Sequence, residues 1–441
     1  MQAVARLLKH TGAEVAGSDI RDFEERSQLE AEGISVFIGH DAKHIDKGLT
    51  AVIYSVAVPG NNPEIEAARG MGIPLERRLT LVGEMMKDKI GVAVTGTHGK
   101  TTTTTMIAMI LESAGLRPTA LIGAEVRNLH SNTLLGDGEA MVVEACEYTR
   151  SFLDLHPKII VITNTEEDHL DYYEDLDDIK KAFREFVELL PEDGLVVANG
   201  DDINTRTVLE GVRQRVIFAG FNEGNDIRVT APEYIEGRLY FSINGERLYL
   251  QIPGKHNISN AVLAWAVARE MGVPDETIRR VLEEEFHGTA RRFETIGTAK
   301  GITFIDDYGH HPTEIQATLE AARQYFPGRR IIVVFHPHQY SRTFILLNGF
   351  AHSFKDADIA IVAPIFAARY NEEKDYPVTS EKLVEEINKV SGNAKYLGDF
   401  PRIEAYLKEE LKPDDVVITL GAGKADILGR ELLAYMRDES E

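Results

Sequence analysis

The stretch GVAVTGTHGKTTTTT, Gly91–Thr105, is the strongest indication of fold in this chain. It reads as a buried strand, a glycine turn and a helix that opens on Lys100 and Thr101, which is typical of a loop that binds phosphate groups. The common phosphate loop is spaced G-x-x-x-x-G-K-[ST], but here Val94 stands five residues before Gly99. The sequence therefore predicts a nucleotide-binding parallel sheet with a shorter phosphate loop.

The composition of the 441 residues limits the partners of the chain. Lys+Arg number 48 and Asp+Glu 71, so the formal net charge is −23. Such a surface repels nucleic acid and anionic membranes, and no basic run offsets it, so neither is predicted as a partner. The single cysteine, Cys146, excludes an intrachain disulfide and is compatible with a cytoplasmic location. No apolar run approaches the roughly 18 residues of a membrane span.

The alternation of strand-like and helix-like segments predicts an α/β fold with three domains. Residues 1–88 are expected to form an incomplete Rossmann-like domain, because the chain opens on a helix without the usual strand and glycine-rich turn. Residues 89–290 predict a central P-loop ATPase-like parallel sheet. Its period changes to two over 226–253, which predicts a small antiparallel sheet. Residues 291–441 predict a second Rossmann-like domain of five strands.

Acids and a histidine follow two buried strands of the central domain. EACEYTRSF places Glu144 past one strand, and NTEEDHLDYY places Asp168 and His169 past another. The carboxyl ends of parallel strands are where such sheets bind ligands. Thr101 and Glu144 would suit one Mg²⁺ and His169 a second, whereas the neighbouring acids Glu166–Glu167 are more simply solvated.

Further polar groups follow in GKHNISN and RRF. His256 and Asn260 lie on one face of a predicted helix start, where the Asn260 amide could read an adenine edge. Asn257 beside them could be only an N-cap. The pair Arg291–Arg292 could clamp phosphates or be an ordinary surface pair.

Two histidine-rich segments in the last third suggest either a metal or an anionic substrate. DDYGHHPTE contains His310 and His311 close to Asp306–Asp307, which could suggest zinc. No cysteine ligand and no helical histidine pair accompanies them, so a pocket for a polar, anionic substrate is favoured. HPHQYSRT adds Arg342, which could bind a carboxylate.

These segments resemble the Mur ligases, in which GTHGKTTT, E-A-x-E, T-N-x-x-x-D-H-L-D, G-K-H-N-x-x-N, RRFE, DDYGHHPTE and HPHxYSRT occur in this order. The resemblance covers nearly the whole chain, and it implies that G-T-x-G-K-T is a functional ATP loop. It implies that the first domain holds UDP-N-acetylmuramate, the central domain ATP and Mg²⁺, and the last domain L-alanine. The implied reaction joins L-alanine to the lactyl carboxylate through an acyl phosphate, for peptidoglycan synthesis, in a cytoplasmic monomer or homodimer.

The resemblance also assigns site residues. ATP would be bound by Gly96, Thr97, His98, Gly99, Lys100, Thr101, Thr102, His256, Asn260, Arg292 and Asp307. Mg²⁺ would be bound by Thr101, Glu144 and His169. The reacting carboxylate and the amino acid would meet Tyr308, His310 and Arg342, and the uridine nucleotide would meet Asp19, His40 and Ser55. The groups that carry the chemistry would be Lys100, Glu144, His169, His310 and Arg342.

The chain departs from the family pattern at several points. A G-I-G-G-x-G-M turn is not present and Met1 coincides with its last residue, so we expect a truncated or misplaced start and weak binding of the UDP substrate. Gln339 stands where many members carry arginine, EACEY replaces EADES, and GAGKADI replaces GAGDI. Lys180 and Lys181 lie where some relatives carry a carbamylated lysine.

Two other functions stay open on the sequence alone. One is a recycling ligase that adds murein tripeptide to the same sugar nucleotide, which would share the ATP residues and differ in the last domain. The other is a non-catalytic nucleotide-binding relative, against which the intact Lys100, Glu144 and His169 argue.

Overall fold

A computed structural model describes residues 1–23, 25–126, 131–367 and 372–438. Their strands form one ten-stranded sheet, one six-stranded sheet and two strand pairs. Helices cover the faces of the two large sheets, as the α/β pattern predicts. Among these residues, no helix is both long and apolar enough to cross a bilayer.

The first 88 residues form two small parallel strand pairs flanked by helices. Their elements are α1 (Gln2–His10), β1 (Ala16–Asp19), α2 (Arg26–Ala31), β2 (Ser35–Ile38), a 3-10 turn (Ala42–His44), β3 (Val52–Tyr54), α3 (Pro63–Met71), β4 (Leu75–Arg77) and α4 (Arg78–Met86). β1 pairs with β2, and β3 pairs with β4. Among the described residues no strand joins the two pairs into one sheet.

The ten-stranded sheet positions the phosphate loop. Its region contains β5 (Ile90–Thr95), α5 (Lys100–Ser113), β6 (Thr119–Val126), β7 (Ser131–Leu135), β8 (Ala140–Glu144), a 3-10 segment (Tyr148–Asp154), β9 (Ile159–Ile162), α6 (Leu176–Glu188), β10 (Leu195–Asn199), α7 (Ile203–Leu209), β11 (Arg215–Gly220), β12 (Ile227–Ile235), β13 (Arg238–Ile243), β14 (Glu246–Leu250), α8 (Lys255–Glu270), α9 (Asp275–Arg280) and a π-helical turn (Val281–Glu285). The strand order is β14-β13-β12-β11-β10-β9-β5-β8-β6-β7.

Strand β5 is held in the middle of this sheet by its apolar sequence. Val92 and Val94 pack into the core on one face and Ala93 into the core on the other. Full burial of a valine side chain contributes about 1.5–3 kcal/mol. β5 pairs in parallel with β8 and β9, so the loops after these three strands lie at one edge.

Helix α5 contains five consecutive threonines although β-branched residues disfavour a helix. All five, Thr101–Thr105, are buried. The hydroxyl of Thr105 donates to the carbonyl of Thr101, one turn back, at 2.8 Å. Tertiary packing therefore overrides local propensity in this helix.

The last region forms the six-stranded sheet, in the order β15-β16-β20-β17-β18-β19. Its elements are β15 (Glu294–Ala299), β16 (Ile302–Asp307), α10 (Pro312–Tyr325), β17 (Ile331–Phe335), α11 (Tyr340–Ile345), α12 (Leu347–Ala351), β18 (Ile359–Val362), α13 (Glu372–Asp375), α14 (Ser380–Val390), β19 (Ala394–Tyr396), α15 (Phe400–Glu410), β20 (Val416–Leu420) and α16 (Ala425–Asp438). The strands from β16 onward pair in parallel, and β15 pairs antiparallel at the edge.

The α/β fold with a mostly parallel central sheet is confirmed, with three differences of detail. The predicted antiparallel hairpins are present, but β12 also pairs with β11, so they continue the large sheet instead of forming a separate one. The last sheet has a sixth strand, β15, beside the five predicted. Strands β6 and β7 extend the large sheet on the side opposite the hairpins.

Candidate active site

The phosphate loop between β5 and α5 is shaped by two glycines with positive φ. Gly96 has φ +133° and Gly99 has φ +83°. A Cβ on Gly96 would lie 2.0 Å from the hydroxyl oxygen of Thr163, and one on Gly99 would lie 2.4 Å from Oδ1 of Asn260. The loop backbone is also fixed by Asn164, whose Oδ1 accepts from the His98 amide at 2.8 Å. Only glycine fits either position in this conformation.

Lys100, at the start of α5, is held beside the loop by a buried carboxylate. Its Nζ donates to both oxygens of Glu147 at 3.1 and 3.0 Å and to the carbonyls of Gly96 and Thr97. Burial opposes the charged amine, but Glu147 outweighs it and raises the pKa of Lys100 above its usual range. The lysine is therefore a fixed cation at the phosphate loop.

Thr101 and Glu144 come together as the sequence predicts. The Thr101 hydroxyl donates to Oε2 of Glu144 at 2.9 Å, and the Gly123 amide donates to the same oxygen at 2.9 Å. Adjacent ligand oxygens around Mg²⁺ are about 3 Å apart, since Mg–O distances are about 2.1 Å in an octahedron. These two oxygens therefore fit a shared Mg²⁺.

His169 follows β9 and lies on the other side of Glu147. Its Nε2 is 3.7 Å from Oε1 of Glu147 and 3.8 Å from Oδ2 of Asp168. The histidine has φ +55°, a left-handed conformation that L residues seldom adopt. Lys100 and His169 thus share Glu147, so the two predicted groups converge on a carboxylate that was not among the predicted ligands.

Arg342, in α11 of the last region, contacts the loop that follows β9. Its Nε and Nη2 donate to Oδ1 of Asp168 at 3.2 and 2.9 Å, and both side chains are at least 90% buried. Arg342 makes the pKa of Asp168 lower than usual although burial raises it. Gln339 lines the same narrow cleft as His169 and Arg342. The predicted carboxylate-binding arginine therefore lies beside the nucleotide loops and holds a carboxylate of the chain itself.

His310 and Tyr308 lie in the loop between β16 and α10. Nδ1 of His310 is 3.0 Å from the carbonyl of Tyr308, and the two rings meet edge to face at 5.2 Å. Burial lowers the pKa of His310 to about 3, so the ring is neutral at physiological pH. The guanidiniums of Arg291 and Arg292 each lie 5.2 Å from the Tyr308 ring centre.

His98 links the phosphate loop to the start of α10. Its Nδ1 is 3.2 Å from Oε1 of Glu314, and its Nε2 is 3.7 Å from Oε2 of Glu166. Burial opposes protonation, but Glu314 and Glu166 outweigh it and raise the pKa of His98 to about 9. Thr313 donates to Glu166 at 2.7 Å. Glu166 was predicted to be simply solvated, but it takes part in this contact between regions.

One cluster of side chains has the spacing of a metal site. Its ligand atoms, on His98, Glu166 and His311, lie within 4.8 Å of one another. Both ring nitrogens of His311 are already used, however. Nε2 is 3.0 Å from the Glu167 carbonyl, and Nδ1 accepts from the Thr313 amide at 3.3 Å as the N-cap of α10. The cluster is therefore better described as an ion-pair network than as a zinc site.

The predicted nucleotide residues of the later motifs occupy different positions around the loop. Asn260 is buried against Gly99, and its Nδ2 is 3.4 Å from Oδ1 of Asn257. His256 is exposed one turn earlier. Asp307 accepts from the amides of Phe293 and Gly309, both at 2.7 Å. Asp307 therefore fixes the loops that carry the arginines and His310.

The predicted uridine residues follow the carboxyl ends of β1, β2 and β3. Nδ1 of His40 lies 3.0 Å from the hydroxyl oxygen of Ser18, and the Ser18 O–H donates to Glu64 at 2.6 Å. Asp19 is exposed and accepts from the Arg21 amide at 3.2 Å. The Ser55 hydroxyl accepts from the Ala57 amide at 3.3 Å. Ser18 and Glu64 are thus additional polar groups at this edge.

Comparison with known proteins gives these groups a family. The family model for the Mur ligase middle domain matches residues 94–268, that for the glutamate ligase domain of Mur ligases matches residues 291–423, and that for the Mur ligase catalytic domain matches residues 1–90. This chain belongs to the Mur ligase family.

Individual Mur ligases are similar over almost the whole chain. The UDP-N-acetylmuramate–L-alanine ligase of Caldanaerobacter subterraneus is 44% identical, covering 98% of this chain and 95% of that protein. The crystal structure of the UDP-N-acetylmuramate–alanine ligase of Thermotoga maritima has a TM-score of 0.83 at 27% identity, covering 100% of this chain and 97% of that one. A murein peptide ligase from Psychrobacter arcticus has a TM-score of 0.73 at 24% identity, covering 99% and 96%, which shows a shared fold.

The sequence predicts most of these side chains but not the side chains that they contact. Glu147 and Asp168 stand in motifs that were recognised, but nothing in their spacing assigns the first to Lys100 or the second to Arg342. Glu314 closes DDYGHHPTE, where it matches a capping-box position, and this signal could have singled it out. Its contact with His98 could not be read from the sequence.

Proposed function

We propose that this Mur ligase is a UDP-N-acetylmuramate–L-alanine ligase that uses ATP. The observation that carries the proposal is the approach of Arg342 to Asp168 at 2.9 Å, beside His169, which shares Glu147 with Lys100. This contact joins the region expected to hold the amino acid to the region expected to hold ATP. Full-length similarity to ligases of this specificity supports the same conclusion.

In the first step, an oxygen of the lactyl carboxylate attacks the γ-phosphorus of ATP, the bond from that phosphorus to the β–γ bridging oxygen breaks, and ADP leaves. Loop amides of residues 96–101 would face the phosphates. Lys100, fixed and charged, stabilises the negative charge that develops on the transferred group. Because the groups are held before reaction, little reorganisation is required.

In the second step, the amine of L-alanine attacks the acyl carbon, loses a proton and displaces inorganic phosphate. Arg342 and the neutral His310 would orient the acyl phosphate and the amino acid. Arg342 would have to share its donors between Asp168 and a substrate carboxylate. Gln339, in the same cleft, offers an uncharged amide where many members carry arginine.

Mg²⁺ fits this site because Thr101 and Glu144 present adjacent oxygen ligands, and His169 would bind a second ion. The ion would neutralise phosphate charge when bound. Asp19, His40 and Ser55 would contact the uridine nucleotide. We further propose a cytoplasmic location and a monomer or homodimer. The proposed domains cover residues 1–88, 89–290 and 291–441.

A murein-tripeptide ligase is the second candidate, and Gln339 is the residue that favours it. Phosphate release should be measured with ATP, Mg²⁺ and UDP-N-acetylmuramate, offering L-alanine, glycine, L-serine and murein tripeptide separately. Release with L-alanine and none with tripeptide is expected. Release with tripeptide alone would reassign the chain to recycling, and ATP binding without any release would leave a non-catalytic relative.

A further inference from the structure

Glu314 contacts both the phosphate loop and the last region. It lies in the first turn of α10, and 11% of its side chain is exposed. One oxygen, Oε2, accepts from the amides of His310 and His311 at 2.9 and 3.2 Å. The other, Oε1, lies 3.2 Å from Nδ1 of His98 and 3.5 Å from Nη1 of Arg292.

Helix capping explains only one of these two oxygens. The capping box needs an acceptor at this position, and glutamine supplies one as well as glutamate does. A buried carboxylate costs more than a buried amide unless cations accompany it. The cations here are His98, at the centre of the phosphate loop, and Arg292, at the entry to the last region. The charge of Glu314 therefore has a role beyond the cap.

His98 connects the backbone of the phosphate loop to the side chain of Glu314. Its amide donates to Asn164 and its carbonyl accepts from Thr163, so its backbone belongs to the rigid loop. Its ring reaches out of the loop to Glu314. A shift of α10 is thereby transmitted to the loop that would hold the γ-phosphate.

We propose that Glu314 is a positioning residue. Through His98 and Arg292 it fixes the position of the phosphate loop relative to the amino-acid region. The inference rests on the proposed function and deepens it. Glu314 acts through His98 and Arg292, which are expected to bind ATP. A purely structural cap predicts, in contrast, that only the acceptor matters.

The test compares Glu314→Gln, which keeps the acceptor and removes the charge, with Glu314→Asp, which keeps a charge on a shorter stem. The matched control is Glu320→Gln on the exposed face of the same helix. Glu314→Gln should lower kcat by about 10-fold or more, because it removes the ion contacts to His98 and Arg292, and a misplacement of about 1 Å can cost up to about 100-fold. ATP affinity should change by less than about threefold, and Glu314→Asp should recover part of the loss. The control should behave as the unaltered enzyme.

A second readout does not depend on activity. The groups facing His98 are Glu314, Glu166, His311 and His256, and Arg292 faces the same Glu314 carboxylate. NMR titration should show that Glu314→Gln lowers the pKa of His98 from about 9. An unchanged His98 titration, or kcat within threefold of the unaltered enzyme, would overturn the inference. Absence of L-alanine activity in the unaltered enzyme would overturn the proposed function instead, and the titration would still decide the role of Glu314.

Discussion

Replacing Gly96 by alanine is the sharpest test of the phosphate loop. The added Cβ would lie 2.0 Å from the hydroxyl oxygen of Thr163 and 3.0 Å from the backbone nitrogen and oxygen of Asn164. Thr163 is 2% exposed and its hydroxyl donates to the carbonyls of Thr95 and His98. Since the neighbouring atoms are packed and bonded, the loop has to move away from them.

The size of the effect follows from this geometry. Real Cβ atoms essentially never come within 3.0 Å of another heavy atom, so the loop must move by about 1 Å. A displacement of that size lowers catalysis about 100-fold. The φ of +133°, which L side chains rarely adopt, adds backbone strain of about 1–3 kcal/mol.

Gly115→Ala is the matched control, because Gly115 has φ +77° but a Cβ there meets nothing within 4 Å. In thermal melts Gly115→Ala should lose stability from its positive φ alone, and Gly96→Ala should lose more because its Cβ also meets packed atoms. Only Gly96→Ala should lose kcat/KM for ATP, measured by ADP release at saturating L-alanine and UDP-N-acetylmuramate. If Gly96→Ala keeps kcat/KM within threefold of Gly115→Ala, the proposed role of the loop is refuted.

Three further outcomes are expected. Glu144→Gln should raise the Mg²⁺ concentration for half-maximal rate by about tenfold or more, because it removes a charged ligand; an unchanged Mg²⁺ titration would contradict the metal assignment. Asp168→Asn should destabilise the protein by about 3–5 kcal/mol in calorimetry, because it leaves Arg342 buried without its carboxylate. Adding Arg342→Leu should restore part of the lost stability. A melting temperature equal to that of the unaltered chain would show that the ion pair does not stabilise the protein. The free energy of unfolding should fall as pH drops from about 6.5 towards 3. An unfolded histidine binds a proton in this range, whereas the buried His310, with its pKa lowered to about 3, does not. His310→Gln should flatten the plot of unfolding free energy against pH, and an equal slope in that variant would count against a neutral His310.

The sequence predicts the groups that are fixed by local chain geometry. Gly96, Lys100 and Thr101 follow one strand directly, and Glu144 ends the neighbouring parallel strand, so strand order alone brings them together. The same logic predicts His169 after β9.

The groups that depend on long-range contacts could not be predicted in this way. Asp168 and Arg342 are 174 residues apart, and no spacing rule relates them. β15 was missed because it is an edge strand with mostly half-exposed, polar residues, which reads as a loop. The run of threonines in α5 looked unfavourable for a helix because its stabilisation comes from tertiary packing.

The most direct test of the ligase account follows an oxygen atom. UDP-N-acetylmuramate labelled with ¹⁸O in its lactyl carboxylate should be incubated with ATP, Mg²⁺ and L-alanine, and the released phosphate analysed by mass spectrometry. Transfer of one labelled oxygen to each phosphate is expected, because the carboxylate oxygen that attacks the γ-phosphorus leaves with it. Phosphate without label, released at the same rate, would contradict activation of the carboxylate by phosphoryl transfer.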